Sequence, residues 1–158
     1  LQKIILDSNL STEGLIVEAG RMTTVKERII AGSQQVVRVD SETENPISSS
    51  SQQALLAHIR GSISDVDVII FEDYDKGLIT NQLIDLVTLK AKEKQIPVIV
   101  DPKKRNFLAY QNVDVFKPNL KELKEGLKIE IPNIDLANMQ QVHTALNKAL
   151  SHSISFIT

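Results

Sequence analysis

The chain has 158 residues, 42% hydrophobic and 24% charged, with a formal net charge of −2. That is enough apolar material for one core and too little positive charge for a broad nucleic-acid or anionic-membrane surface. The lack of cysteine excludes disulfides and thiolate metal sites, and three scattered histidines (His58, His143, His152) argue against a histidine-held metal. No apolar run approaches the ~20 residues of a membrane-spanning helix and no secretory signal is visible, so the cytoplasm is the expected compartment.

In chain order, Leu1–Leu10 carries apolar residues at helical spacing and ends in the polar break Ser11-Thr12-Glu13-Gly14. Leu15–Val17 reads as a short strand. Thr23–Ile30 and Gln35–Asp40 read as half-exposed strands around an Ala31-Gly32-Ser33 turn, with Val37 and Val39 on one face and Val36, Arg38 and Asp40 on the other. This first part predicts a small antiparallel flap. Ser41–Ser51 is a polar linker ending in a serine-capped helix, Gln52–Ile63, with Ser51 as the expected cap.

From there strands and helices alternate. Val66–Phe71 is nearly all apolar, which predicts a strand covered on both faces. A helix is expected from near Thr80 to about Gln95, with Leu83, Ile84, Leu86, Val87 and Ala91 inward. Strand Pro97–Val100, a short segment near Phe107–Tyr110 and strand Val113–Phe116 follow. Helices are then expected at Asn119–Leu127 and Leu136–Leu150, and a strand at Ile154–Ile157. Residues 1–45 are thus read as a helix end plus lid strands, and 46–158 as a βα core. The chain starts at Leu1 without methionine and stops inside a strand pattern, so it is read as a piece of a longer protein.

Three strands run into charged, turn-forming clusters: Glu72–Gly77, Asp101–Lys104 and Lys117–Glu122. Helical crossovers make the strands parallel, which places all three clusters at one edge, outside the carboxyl ends. Asn119 and Glu122, spaced i, i+3, could hold a hydrated Mg²⁺. The same pair also fits a helix capping box. Asp101 could bind a hydroxyl or metal-bound water and Lys103 a phosphate, or the two could simply close a turn. Asp73 and Lys76 repeat that choice. On the flap, Arg21, Lys26, Arg28 and Arg38 could cover an anionic sugar or form a solvated face. There is no Walker-type glycine loop, and no serine–histidine constellation can be assembled from the sequence.

The segments Arg21–Arg28, Gln34–Asp40, Glu72–Gly77, Val100–Lys103 and Lys117–Glu122 resemble, in order, the ribokinase-like (PfkB) carbohydrate kinases. Asn119-x-x-Glu122 is shared across that family. The Arg-x-Thr-x-x-Lys, Gln-Gln-x-x-Arg-x-Asp and Asp-Tyr-x-Lys-Gly set is similar to its heptose 7-phosphate kinases. The resemblance implies a doubly wound, mostly parallel α/β sheet with a small β lid, incomplete at both ends here, and a homodimer joined through the lid. It implies ATP- and Mg²⁺-dependent phosphorylation of D-glycero-β-D-manno-heptose 7-phosphate at C1, toward ADP-heptose and lipopolysaccharide core.

Asn119 and Glu122 would then organise Mg²⁺ and the ATP phosphates, joined by Thr158 at the nucleotide side. Arg28, Arg38, Asp73, Lys76, Asp101 and Lys103 would face the sugar and phosphates. The family's amino-terminal Gly-Asp strand and Gly-Gly-Asn region have no counterpart in these residues. Neither does its carboxyl-terminal Gly-Ala-Gly-Asp, which carries the general base. The segment alone is therefore expected to be inactive. Glu72 also stands where the family commonly has serine. The alternatives are a kinase for another sugar or sugar phosphate, and a non-catalytic sugar- or nucleotide-binding module.

Overall fold

A computed structural model describes residues 1–158. A short helix, α1 (Gln2–Asp7), precedes a hairpin of β1 (Val25–Ala31) and β2 (Gln34–Ser41). The core then runs α2 (Ser49–Ser62), β3 (Ile69–Glu72), α3 (Asn81–Glu93), β4 (Val98–Asp101), β5 (Val115–Phe116), α4 (Leu120–Leu127), α5 (Leu136–Leu150) and β6 (Ile154–Ser155). The four core strands form one parallel sheet in the order β3-β4-β5-β6. All their carboxyl ends therefore lie on one edge, as the alternation of strands and helices requires.

Because each strand adds beside the last, right-handed crossovers put every connection on the same face. On that face Phe71, Val100 and Phe116 stand in register across three strands, at 6%, 0% and 0% exposure. Against them pack Leu83, Ile84, Val87 and Ala91 of α3 and Val142, Leu146 and Leu150 of α5. Side chains alternate along a strand, so the opposite face carries the next row, Ile70, Ile99, Val115 and Ile154, also in register. Ile70 and Ile154 remain 57% and 56% exposed. The expectation that the first core strand is covered on both faces thus fails for this chain, because its helices all lie on one side.

The connection from β4 to β5 is a run of turns, not a helix, and it is pinned by aromatics. Phe107 meets Phe116 edge-on at 5.0 Å, and Tyr110 lies 5.5 Å from Phe71. Helix α4 crosses the Phe107 ring at Gly126, where a Cβ would overlap the ring atoms. Only glycine allows that approach.

Helix starts follow local chemistry. Thr80 accepts from the Leu83 amide and Asp135 from the Asn138 amide. The cap of α2 is Ser48, not Ser51; Ser51 lies in the first turn and donates its amide to Ser48 Oγ at 3.2 Å. Leu15–Val17 forms no strand, since no sheet edge lies beside it, and Val17 is left exposed.

The hairpin pairs Lys26 with Asp40, Arg28 with Arg38 and Ile29 with Val37. Directly opposed residues share a face, so Val25, Ile29, Val37 and Val39 lie on one mostly apolar side, with Glu27 among them opposite Val39. Lys26, Arg28, Arg38 and Asp40 form a charged one. Every residue of β1 is exposed.

Candidate functional site

At the carboxyl edge of the sheet, two of the three strand-end clusters meet. Asp101 closes β4, and Lys117 follows β5. Lys117 Nζ donates to Asp101 Oδ2 at 2.8 Å. Lys103 Nζ donates to Glu122 Oε1 and lies 3.9 Å from Asp101 Oδ1. Glu122 Oε2 accepts the Asn119 amide at 2.9 Å, and Asn119 Oδ1 accepts the Glu122 amide at 2.9 Å, a complete capping box. Thr158 joins this group through its backbone, donating to Pro118 O and accepting from the Leu120 amide. It therefore sits beside the amino-terminal end of α4, where the helix dipole favours an anion although the capping box and Thr158 already take the amides of Asn119, Leu120 and Glu122.

The two lysines are held charged. Burial opposes the charge on Lys103, but its bond to Glu122 and the charges of Glu122 and Asp101 together outweigh that and raise its pKa. The bond to Asp101 raises that of Lys117. The two ammonium groups stand at a helix start, where a polyphosphate can compete with Asp101 and Glu122 for them.

The fit to Mg²⁺ is specific in kind. No three acidic or histidine side chains converge on one point, and both Glu122 oxygens are occupied by Asn119 and Lys103. These residues fit a hydrated ion held through its waters and the phosphates, the usual habit of Mg²⁺, and not a protein cage.

The third cluster goes elsewhere. Asp73 is buried at 4% exposure and accepts from Tyr110 Oη at 2.7 Å, Asn106 Nδ2 at 2.9 Å and the Asp75 amide at 2.8 Å. Its carboxylate is consumed by the protein, so the expected contact between Asp73 and sugar is corrected to a structural one. Burial, and then Asp73, push the Tyr110 pKa far up, so the phenol stays protonated as a donor.

Lys76 turns toward the lid hinge, donating to Glu42 Oε1 at 2.5 Å and Glu44 Oε1 at 3.1 Å. Between the hinge and α2 lies a cleft of about 460 Å³ whose polar lining includes Glu18, Arg21, Thr23, Thr24, Thr43, Ser51 and Lys76. Hydroxyls mixed with two cations and one carboxylate suit a polyhydroxylated ligand that carries an anionic group. On the lid, Arg28 and Arg38 stand directly opposite each other; Arg38 pairs with Asp40 at 3.0 Å, and Arg28 has no acidic partner.

Several of these groups escaped the sequence reading. Glu42 and Glu44 continue the alternation of Asp40 along one side of the chain, a signal that period-two patterning carries. Lys117 was visible as the residue after a strand. Arg105, which donates to Glu44 O at 3.0 Å, had no such signal. The fold also brings together a serine and two histidines that the sequence does not link. Ser155 Oγ lies 2.8 Å from His143 Nδ1 and 2.7 Å from His152 Nε2. The left-handed cap at Ser151 ends α5 and folds His152 back beside His143.

No family model matches the chain. The sequence is 41% identical over 149 residues to the bifunctional protein HldE of Wolinella succinogenes, covering 94% of this chain and 31% of that protein. It is 32% identical to HldE of Sulfurimonas denitrificans over 100% of this chain and 33% of that protein. Against HldE of Citrifermentans bemidjiense the identity is 35%, over 100% of this chain and 32% of that protein. The chain thus spans about a third of the length of the curated relatives it matches. Among solved structures, a point mutant of phosphofructokinase-2 from Escherichia coli superposes with a TM-score of 0.68 at 15% identity, over 99% of this chain and 52% of that one. The tetrameric inhibited form of the same enzyme gives 0.65 at 12% identity, over 96% and 49%. The fold is the ribokinase-like one that the motifs imply.

Proposed function

We propose that this chain, a ribokinase-like (PfkB) segment homologous to the HldE proteins, is part of an ATP- and Mg²⁺-dependent sugar kinase. The proposed acceptor is D-glycero-β-D-manno-heptose 7-phosphate, phosphorylated at its C1 hydroxyl to the 1,7-bisphosphate, toward ADP-heptose and the lipopolysaccharide core. The observation that carries this reading is the alignment of nearly the whole chain with HldE proteins. The edge geometry supports it independently: Asp101, Lys103, Lys117, Asn119 and Glu122 meet outside the strand ends, where such sheets bind ligands.

In this reading the sugar oxygen bonds to the terminal phosphorus, the bond to ADP breaks, and the hydroxyl proton passes to a base. Mg²⁺ supplies charge neutralisation of the phosphates when bound. Lys103 and Lys117 neutralise the phosphate oxygens, and the dipole of α4 favours them at its amino-terminal end. Asn119 and Glu122 hold the waters of the ion, and Thr158 lines the nucleotide side. Asp101 keeps Lys117 in place and faces the sugar side of the edge.

The proton acceptor is assigned to none of these residues. Asp73 is buried and fully bonded, and Asp101 is already paired with lysine. The segment alone is therefore read as inactive.

The lid contributes Arg28 and Arg38. Like charges placed directly opposite destabilise a hairpin, which an anionic ligand between them would relieve. The lid side of Val25, Ile29, Val37 and Val39, which also carries Glu27, is assigned to a second copy of the chain, giving a lid-joined dimer in the cytoplasm. The test is ADP release by the full-length protein. Release should require heptose 7-phosphate and Mg²⁺; no release above the sugar-free rate, or a preference for a hexose phosphate, would overturn the assignment.

A further inference from the structure

Six ion pairs run in a single line of alternating charge from the lid to the core, three of them reaching core residues Lys76 and Arg105. Arg38 lies 3.0 Å from Asp40 Oδ2, and Lys26 reaches the same oxygen at 3.3 Å. Lys26 also lies 3.5 Å from Glu42 Oε2, and the other Glu42 oxygen accepts from Lys76 at 2.5 Å. Lys76 continues to Glu44 at 3.1 Å, and Glu44 to Arg105 at 3.3 Å. Each interior charge is flanked by two of opposite sign.

The line crosses the point where the lid leaves the core. Just beyond it the backbone is clamped. Arg21 donates to Asn45 O at 3.0 Å and to Lys76 O, and the Ile47 amide donates to Gly77 O at 3.0 Å. Gly77 has φ +74°, and a Cβ there would overlap the Asn45 carbonyl, so the hinge and the Lys76 loop touch backbone to backbone. The lid strands pair only with each other, and all of β1 is exposed. With the hinge fixed at 45–47 and no apolar packing above it, the side chains of Glu42 and Glu44 set the angle of the lid.

The two acids differ. Glu42 is the enclosed one, its side chain 20% exposed against 58% for Glu44. We infer that Glu42 is a positioning residue, which holds Lys76 beneath the hinge and so fixes the lid beside the cleft that Thr23, Thr24 and Thr43 line, with Glu44 and Arg105 as an outer strap. The bond to Lys76 lowers the Glu42 pKa and that to Glu42 raises the Lys76 pKa, so the latch stays charged across the ordinary pH range. Salt should loosen it, because screening lengths fall to about 3 Å at 1 M ionic strength. The consequence for turnover rests on the kinase reading; the latch itself does not.

The test measures lid position directly in the full-length protein. Spin labels on Ser33→Cys at the lid tip and Lys92→Cys on α3 report their separation by pulsed electron resonance. Wild type should show one narrow distance distribution, broadened in 1 M salt. Glu42→Gln and Lys76→Gln should each broaden it at low salt, and the exchanged pair Glu42→Lys with Lys76→Glu should narrow it again. In the same proteins Glu42→Gln should raise the KM for phosphosugar about tenfold with kcat within about threefold. A Glu42→Gln distribution identical to wild type, or an exchanged pair as broad as the single variants, would overturn the latch. Absence of sugar-dependent ADP release from wild type would instead remove the kinase reading and leave the distance result standing.

Discussion

The core and the lid of this protein are held by different forces. Beneath the sheet, Phe71, Val100 and Phe116 are buried in a continuous apolar cluster with α3 and α5. The lid has no such packing; β1 is exposed along its whole length, and ion pairs connect the hairpin to the core. Apolar burial is strong and insensitive to salt, whereas exposed ion pairs are individually weak and screened. The difference suits a division of labour. In the proposed kinase, groups that hold phosphates in one geometry would stand on the rigid edge, and groups that open for a sugar on a part that little energy moves.

The largest effect should come from the core. Phe116→Ala should cost about 3–5 kcal/mol of stability by chemical denaturation, from lost burial plus a cavity. A loss below about 1 kcal/mol, roughly a surface value, would deny that the sheet face is the main source of stability.

Asp73→Ala should come next. It strands the buried Tyr110 hydroxyl and the Asn106 amide, at a cost of about 2–3 kcal/mol in the same measurement. If stability held and only sugar affinity fell, Asp73 would return to the substrate-contact role.

A smaller effect is expected from acid. His152 is buried between Phe116 and His143, with Nε2 on Ser155, Nδ1 unpartnered and its carbonyl accepting from Asn147. Burial, then His143, lowers its pKa from the ordinary 6.5, so the unfolded chain takes up the proton first. Its contribution is full above pH 6.5 and drains as pH falls toward the folded value. His152→Gln should flatten the stability profile between neutral and mildly acidic pH; an unchanged slope would contradict this.

The smallest change should be in the lid. Ile29→Ala should shift stability by no more than about 0.5 kcal/mol. A core-sized loss there would erase the contrast between the two regions.

Much of this was legible in the chain. Periodicity gave α5 its full extent at Leu136–Leu150, and alternation placed Val37 and Val39 on one lid face and Arg38 and Asp40 on the other. Parallel strands brought Asp101 and Glu122 to one edge, as strand–helix alternation demands. What was not legible depends on paths between elements. Lys76 has the same local sequence character as Lys103, yet it belongs to the hinge because residues 42–47 cross its loop. Ile70 reads as covered on both sides, because an apolar run does not say on which face its helices lie. Asp73 reads as exposed turn chemistry; only the return of Tyr110 buries it.

The most direct measurement of the whole account sets Lys103→Gln beside Arg38→Gln in steady-state kinetics of the full-length protein, with ATP, Mg²⁺ and heptose 7-phosphate. An edge residue acting on the transferred phosphoryl predicts a kcat lowered about 100-fold by Lys103→Gln, with little change in KM. A lid residue that only binds predicts a KM raised about tenfold by Arg38→Gln, with kcat kept within about threefold. Both variants changing the same parameter, or no phosphosugar-dependent turnover in the wild-type protein, would contradict it.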